Sequence, residues 1–354
     1  MRTERSTFPL SKKRGGHIFF GVAPVVFLLL ACGEQKTPYH DYKADYFAMN
    51  SRIRVSLRSA DETLGEPEFE VGKIFSLYDS LADNTQSVTN HKNVYDINQT
   101  NQAVTIEKEL YDLLSFSLQM EKESYGYVNP LIGNLSDLWK DHLHPERVTP
   151  SGSKTPDPSI PSQEEIRACL SEMENSDLVL KEEEGKYTVR RIGTAKIDLG
   201  AIAKGYAAQK AWEWIKDNGF TAYYVDAGTS SILLGEQDLD GGAWTVNIRG
   251  ISQKMKLKNV CVGTSGIDAQ EADIGGVSYS HIINPFTGSA HVDYFGVTLL
   301  GQDAGVLDVL STAFILMGVN ENLDKVNALA SKYNVSYVFY NDGEIVKNQG
   351  VVFQ

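Results

Sequence analysis

Residues 51–57 alternate: Ile53, Val55 and Leu57 are apolar, Arg52, Arg54 and Ser56 polar. A period of two is that of a half-buried strand. The period lengthens in residues 66–82 and 105–123, where apolar positions recur every three or four residues. Ile106, Leu110, Leu113, Leu114 and Leu118 fall on one side of the second segment, so both are predicted helices. Residues 149–165 have no period and hold four of the eleven prolines, which predicts an exposed loop dividing the chain into two unequal halves. A helix should begin near Ser162, because Glu165 follows three residues later and the pair can cap a first turn reciprocally.

Downstream, residues 186–191 and 195–200 read as strands or strand ends. Residues 201–217 read as a helix with Ile202, Ala207, Ala211, Trp212 and Ile215 inward and Gly219 as its terminator. Runs rich in β-branched and aromatic residues at 222–228, 231–235, 244–248, 296–300 and 336–340 predict strands, and residues 304–317 an apolar helix ending at Gly318. Neighbouring strands mixed with a few long helices predict an α+β fold, with mixed or antiparallel sheets and packed helices, rather than a doubly wound one. No fixed-period repeat is present.

Composition narrows the function classes. In 354 residues, 42% hydrophobic and 22% charged exclude a disordered or polytopic membrane chain. Thirty-three Lys and Arg against 46 Asp and Glu leave −13, which repels phosphate backbones and excludes nucleic acid as a general partner. Any anionic ligand must meet a local exception. The three cysteines are too scattered for a disulfide framework or structural zinc, and Cys169 and Cys261 are expected to be buried free thiols. Cys32 differs. Lys12-Lys13-Arg14, an apolar run from Ile18 to Leu30 and Leu29-Leu30-Ala31-Cys32 form an export signal that resembles a bacterial lipobox, with a run shorter than the roughly 20 residues of a membrane span. The expected organisation is a signal peptide at 1–31, a polar tether at 32–44 starting from a lipidated Cys32, and one domain at 45–354 on the outer face of the membrane.

Several segments carry chemistry. At 196–209, Asp198 precedes Gly200 at a helix start and Lys204 follows one turn in, flanked by small residues; a helix N-terminus with a lysine suits phosphate, although a surface lysine and an N-cap aspartate would look the same. Asp308 and Thr312 are one turn apart on the apolar helix. A carboxylate in that company needs a partner, and two hard oxygens so spaced suit Mg²⁺. The strand ends at 228–235, with Thr229 and Ser230, and at 263–267, with Ser265, offer hydroxyls and amides for a phosphate or ribityl chain. His281 precedes a proline-containing turn and is a candidate general base.

In order, residues 48–51 (AMNS), 124–139 (SYGYVNPLIGNLSDLW), 198–206 (DLGAIAKGY), 228–231 (GTSS), 263–266 (GTSG), 281–288 (HIINPFTG) and 307–312 (LDVLST) resemble the ApbE family, the FAD:protein FMN transferases. The resemblance runs from about residue 45 to residue 340, and its wording is similar to the branch found in Gram-positive bacteria, often lipoproteins. It implies a Mg²⁺-dependent enzyme that splits FAD and transfers FMN to a Thr or Ser hydroxyl of an exported acceptor protein, leaving AMP. It implies that Asp308, Thr312 and the main-chain carbonyl of Ala201 are metal ligands. It makes Met49, Tyr127, Val128, Asn129, Asp198, Lys204 and Ile283 flavin-nucleotide contacts, and His281 the base for the acceptor hydroxyl. Asn129 and Asn284 stand where many members carry Asp, Gln209 replaces another Asp, and Thr229-Ser230 replace Gly-Asp. An FAD pyrophosphatase, with water as acceptor, or a flavin-binding lipoprotein without catalysis are the competing readings.

Overall fold

Two strands, β1 (His40–Ala48) and β2 (Ser51–Ser59), form an antiparallel hairpin joined by Met49 and Asn50, both at φ 54°. Two left-handed residues make the tight turn whose twist matches that of the strands it joins. Ile53, Val55 and Leu57 point into the core, as the alternation predicts. β1 alternates too, with Tyr42, Ala44 and Tyr46 half-buried. This corrects the expectation of a tether up to residue 44: Asp41, Lys43 and Asp45, which make the segment look solvated, occupy only its outer face. The computed structural model describes residues 39–353, apart from Gly152, Thr229, Arg249, 268–271, Glu321 and Asp342. The expected signal peptide and Cys32 lie outside the described residues.

The chain continues through α1 (Pro67–Ala82), α2 (Val94–Asn98), β3 (Val104–Ile106), α3 (Lys108–Glu123), α4 (Gly133–Leu143), α5 (Gln163–Glu174), β4 (Asp177–Glu183) and β5 (Lys186–Ile192). Then come α6 (Ala203–Asp217), β6 (Ala222–Ala227), β7 (Ser231–Leu234), β8 (Trp244–Asn247), β9 (Lys254–Leu257), β10 (Val260–Gly266), β11 (Ala272–Ile274) and β12 (Val277–Tyr279). β13 (Gly296–Gly301), α7 (Ala304–Met317), α8 (Leu323–Lys332), β14 (Ser336–Asn341) and β15 (Glu344–Lys347) complete it. Eight strands form one sheet in the order β1, β2, β6, β7, β10, β13, β14, β15, every neighbour antiparallel. The fold is α+β, as expected. Strand alternation divides the core: Leu233 and Phe339 join the helix side with residues of α1, α6 and α7, and Leu234 and Val338 pack beneath the β8–β9 hairpin and Val351. A third cluster joins α4 to α5 through Leu135, Trp139 and Ile166.

Residues 105–123 are not one helix. Val104-Thr105-Ile106 pairs with β5, as its β-branched residues favour, and α3 starts only at Lys108. The Ser162–Glu165 capping box is present. The proline-rich loop before it is exposed but divides nothing, since β2 pairs with β6 and β3 with β5 across it. Both described cysteines are free, Cys261 buried and Cys169 half-buried.

Residues 195–199 join no ladder, and Gly200 already lies in the turn before α6. Asn98 supplies the missing strand: its side chain accepts from the Ile197 N–H at 2.8 Å and donates to the Ile197 carbonyl at 3.0 Å. Arg191, buried beside them, donates to the carbonyls of Gly193, Ala195 and Asn98. Asn98→Ala leaves a buried N–H and C=O unpaired and should lower unfolding free energy by about 2–4 kcal/mol. Urea denaturation measures this, and a loss below about 0.5 kcal/mol would mean that the clamp is dispensable.

Candidate functional site

Asp308 lies inside α7, only 6% exposed. Its Oδ2 accepts from the backbone N–H of Gly205 at 2.8 Å, one of the first-turn donors that α6 leaves unsatisfied. The residue before α6, Ile202, provides no side-chain cap, so Asp308 caps α6 from another helix. A Cβ on Gly205 would fall 2.2 Å from that of Asp308, which is why glycine stands there. Burial pushes the Asp308 carboxyl up to about 6, while the charge of Lys204 and the Gly205 N–H pull the other way.

Thr312 follows one turn later, its Oγ1 3.4 Å from the Asp308 carbonyl and 3.3 Å from Ser265 Oγ. Ser265 Oγ is also 2.7 Å from the hydroxyl of Ser311. Ala201 is half-buried in the turn that leads into α6. Among the described residues no group of three or more His, Cys, Asp or Glu converges. A cation beside Asp308 would therefore take one carboxylate and complete its shell from hydroxyl, carbonyl, water and ligand oxygens, a donor set that fits Mg²⁺ and not a structural zinc.

Asp198 anchors the next part. Its Oδ2 accepts from Ser136 Oγ at 2.9 Å and Lys140 Nζ at 3.1 Å, and its Oδ1 from the Gly200 N–H at 2.8 Å. Burial alone would raise this carboxyl, but the Lys140 charge and the hydrogen bonds from Gly200 and Ser136 outweigh it and hold the group below the usual carboxylate range. Ser136, Trp139, Lys140 and His144 share one cleft with His281 and Ile283. His281 is exposed there, whereas the Ile283 side chain is buried with Leu135 and Trp139. Asn284 caps its own turn, accepting from Phe286 N at 2.9 Å.

The 127–131 loop is tied to Asp198 and to the turn after His281. The Asp198 N–H donates to the Pro130 carbonyl at 2.9 Å. The Tyr127 ring meets Phe286 edge-on at 5.0 Å, Val128 turns its side chain into the core, and Asn129 bonds Glu121. At the sheet edge the Met49 N–H donates to Asp79 at 2.8 Å. Gly228 lies so near that a Cβ there would be 2.4 Å from that of Ser51. Ser230 accepts at its carbonyl from the Thr264 N–H at 2.7 Å, which joins that edge to Ser265. Thr229 lies outside the described residues. Gln209 caps α7, its Oε1 accepting from the Ala304 N–H at 2.9 Å.

A model of the ApbE family matches residues 49–338. The chain belongs to the ApbE family. A Treponema pallidum relative named FAD:protein FMN transferase is 28% identical over 238 residues, 62% of each chain, so the match spans under two thirds of that relative. A Klebsiella pneumoniae relative of the same name is 23% identical over 321 residues, 88% of this chain and 91% of its own. Among solved structures, the ApbE protein from Thermotoga maritima superposes with a TM-score of 0.73 at 24% identity, covering 88% of this chain and 98% of its own. The flavin transferase ApbE from Vibrio cholerae gives 0.69 at 19% identity, with the same coverage. The ApbE fold is common to all.

Sequence reading missed Ser136 and Lys140, which lie 62 and 58 residues from Asp198, and Glu121, which meets Asn129 eight residues on, past the end of α3; a lysine next to the family's Leu-Trp pair was the one available signal. The depressed Asp198 value fixes a pH dependence. A carboxyl held below its unfolded value of about 3.9 contributes stability above that pH and loses it as pH falls toward the folded value. Asp198→Asn should lower stability by roughly 1–3 kcal/mol at pH 7, with the gap to the unaltered protein closing below about pH 4. Melting curves from pH 7 to pH 3 measure it, and a gap that widens toward acid contradicts the assignment.

Proposed function

We propose that this chain transfers FMN from FAD to a Thr or Ser hydroxyl of an exported acceptor protein and releases AMP, with Mg²⁺ bound. The observation that carries the reading is the buried Asp308 carboxylate, tied to the N-terminus of α6 beside Lys204, with Thr312 one turn farther along α7 and within reach of Ser265. Family membership and the names of the relatives support the same chemistry. Asp308, Thr312 and the Ala201 carbonyl would hold the metal, which when bound offsets pyrophosphate charge and polarises the phosphorus under attack. Lys204, in the first turn of α6, adds a fixed positive charge for the phosphates, and the positive end of the α6 dipole favours an anion. These groups make the local exception that an acidic protein needs to bind a dinucleotide. His281, exposed on the cleft beside Lys140, takes the proton from the acceptor hydroxyl. The acceptor oxygen bonds to the FMN phosphorus as its bond to the AMP oxygen breaks, and AMP leaves with the electron pair.

The test pairs two variants in the presence of an acceptor protein. Asp308→Asn should remain folded and lose Mg²⁺-dependent AMP release. His281→Ala should bind FAD with nearly unchanged affinity while transfer falls roughly 10²–10⁴-fold, the usual worth of a positioned base. Undiminished AMP release by Asp308→Asn would refute the metal assignment. Free FMN in place of acceptor-bound FMN would make the chain a pyrophosphatase, and no AMP from the unaltered protein would leave only a flavin-binding role.

The proposal extends to location: residues 1–31 direct export, and Cys32 carries a lipid that holds the domain on the extracytoplasmic face. Cys32→Ser should abolish lipid labelling and leave either shed protein or uncleaved precursor. A mature-sized, lipid-labelled variant in the membrane fraction would refute it.

A further inference from the structure

Asn129 is engaged at both ends of its amide. Nδ2 donates to Glu121 Oε1 at 2.9 Å, and Oδ1 accepts from the Leu131 N–H at 2.8 Å. A flipped amide would set donor against donor and acceptor against carboxylate, so the orientation is unique. One N–H on Nδ2 remains after both bonds are made. Glu121 comes from the last turn of α3, and burial pushes its carboxyl above the usual range. The neighbours of Asn129 in the chain touch the site on two sides: Tyr127 packs on Phe286 at 5.0 Å, and the Pro130 carbonyl receives the Asp198 N–H at 2.9 Å.

We propose that Glu121 is a positioning residue for the flavin nucleotide: it fixes Asn129 as a hydrogen-bond donor, so that the remaining N–H meets an acceptor oxygen of bound FAD. The inference rests on the FMN-transfer reading above. It also accounts for the asparagine where many family members carry Asp. An aspartate at 129 would be acceptor-only and would face a second carboxylate at hydrogen-bond distance, an arrangement in which both cannot ionise. In this chain the carboxylate of the pair sits at 121 and the donor at 129. Flavin carbonyls and phosphates both offer the oxygen, and riboflavin and AMP as separate ligands distinguish them.

The test measures melting temperature and the FAD dissociation constant on the purified chain with Mg²⁺. Glu121→Leu should weaken FAD binding roughly threefold to tenfold, the worth of one neutral hydrogen bond lost through misorientation. Glu121→Gln should lose less, because its amide oxygen still accepts from Nδ2. Asn129→Asp should lower melting temperature and affinity together. In the double variant Glu121→Gln with Asn129→Asp, the amide introduced on α3 donates to the carboxylate introduced on the loop. Melting temperature should then recover while affinity does not, because no side-chain N–H remains at position 129. The weakening by Asn129→Asp should reappear with riboflavin if the oxygen is a flavin carbonyl, and with AMP if it is a phosphate. Recovery of affinity together with melting temperature in the double variant would reduce the Glu121–Asn129 bond to a structural brace and overturn the proposal. So would folded Glu121→Leu protein that binds FAD within twofold of the unaltered chain. An unaltered chain that binds no FAD would remove the FMN-transfer reading, and with it the proposal.

Discussion

A carboxylate buried in an apolar helix must find hydrogen-bond donors within the protein, and for Asp308 the donor is the uncapped start of α6. That contact sets how close the two helices come. Gly205 has no Cβ because the Asp308 side chain occupies the space, and Ala207, Ala208 and Ala211 farther along α6 are fully buried small residues. α7 also lies close to the sheet: a Cβ on Gly263 of β10 would come within 2.7 Å of Leu307 Cβ. Ser265 can then reach Ser311 and Thr312. The hydroxyl cluster beside Asp308 is a consequence of helix spacing, and helix spacing is a consequence of one buried charge.

The antiparallel sheet does the rest of the gathering. Its register sets Ile53 opposite Ala227, Ser231 opposite Gly263 and Gly266 opposite Gly296, so the Met49 turn, the 228–231 turn and Ser265 all lie at one end of the strands. Segments far apart in the sequence, such as Ile53 and Ala227, become neighbours without any long excursion of the backbone. The cleft of His281 and Lys140 belongs to a different cluster, built on α4 and α5. It is tied to the rest of the fold through the segment around Ile197, which Asn98 and Arg191 hold in place.

How much of this was legible depends on the range of the interaction. α7 was readable to its last residue because its apolar run and Gly318 are local signals. The α5 start was readable for the same reason, and Asp308 with Thr312 stood out because polar residues are costly on such a helix. β1 misled because its outer face is charged while its inward residues are tyrosine and alanine, a weak apolar signal. Residues 195–200 misled because their partner is one asparagine side chain, 99 residues before Ile197, that no period can reveal. Lys140 and Glu121 were invisible for a related reason, since an α4 lysine and an α3 glutamate look like ordinary solvated helix residues until the fold brings them to Asp198 and Asn129.

β1 runs its nine residues from His40 at one end of the sheet to the Met49 turn at the other, a length of about 30 Å at strand rise. The chain thus enters the fold at the end farthest from the one where Met49, Ser230 and Ser265 collect. The nine residues of that strand separate His40 from the turn where the candidate site begins.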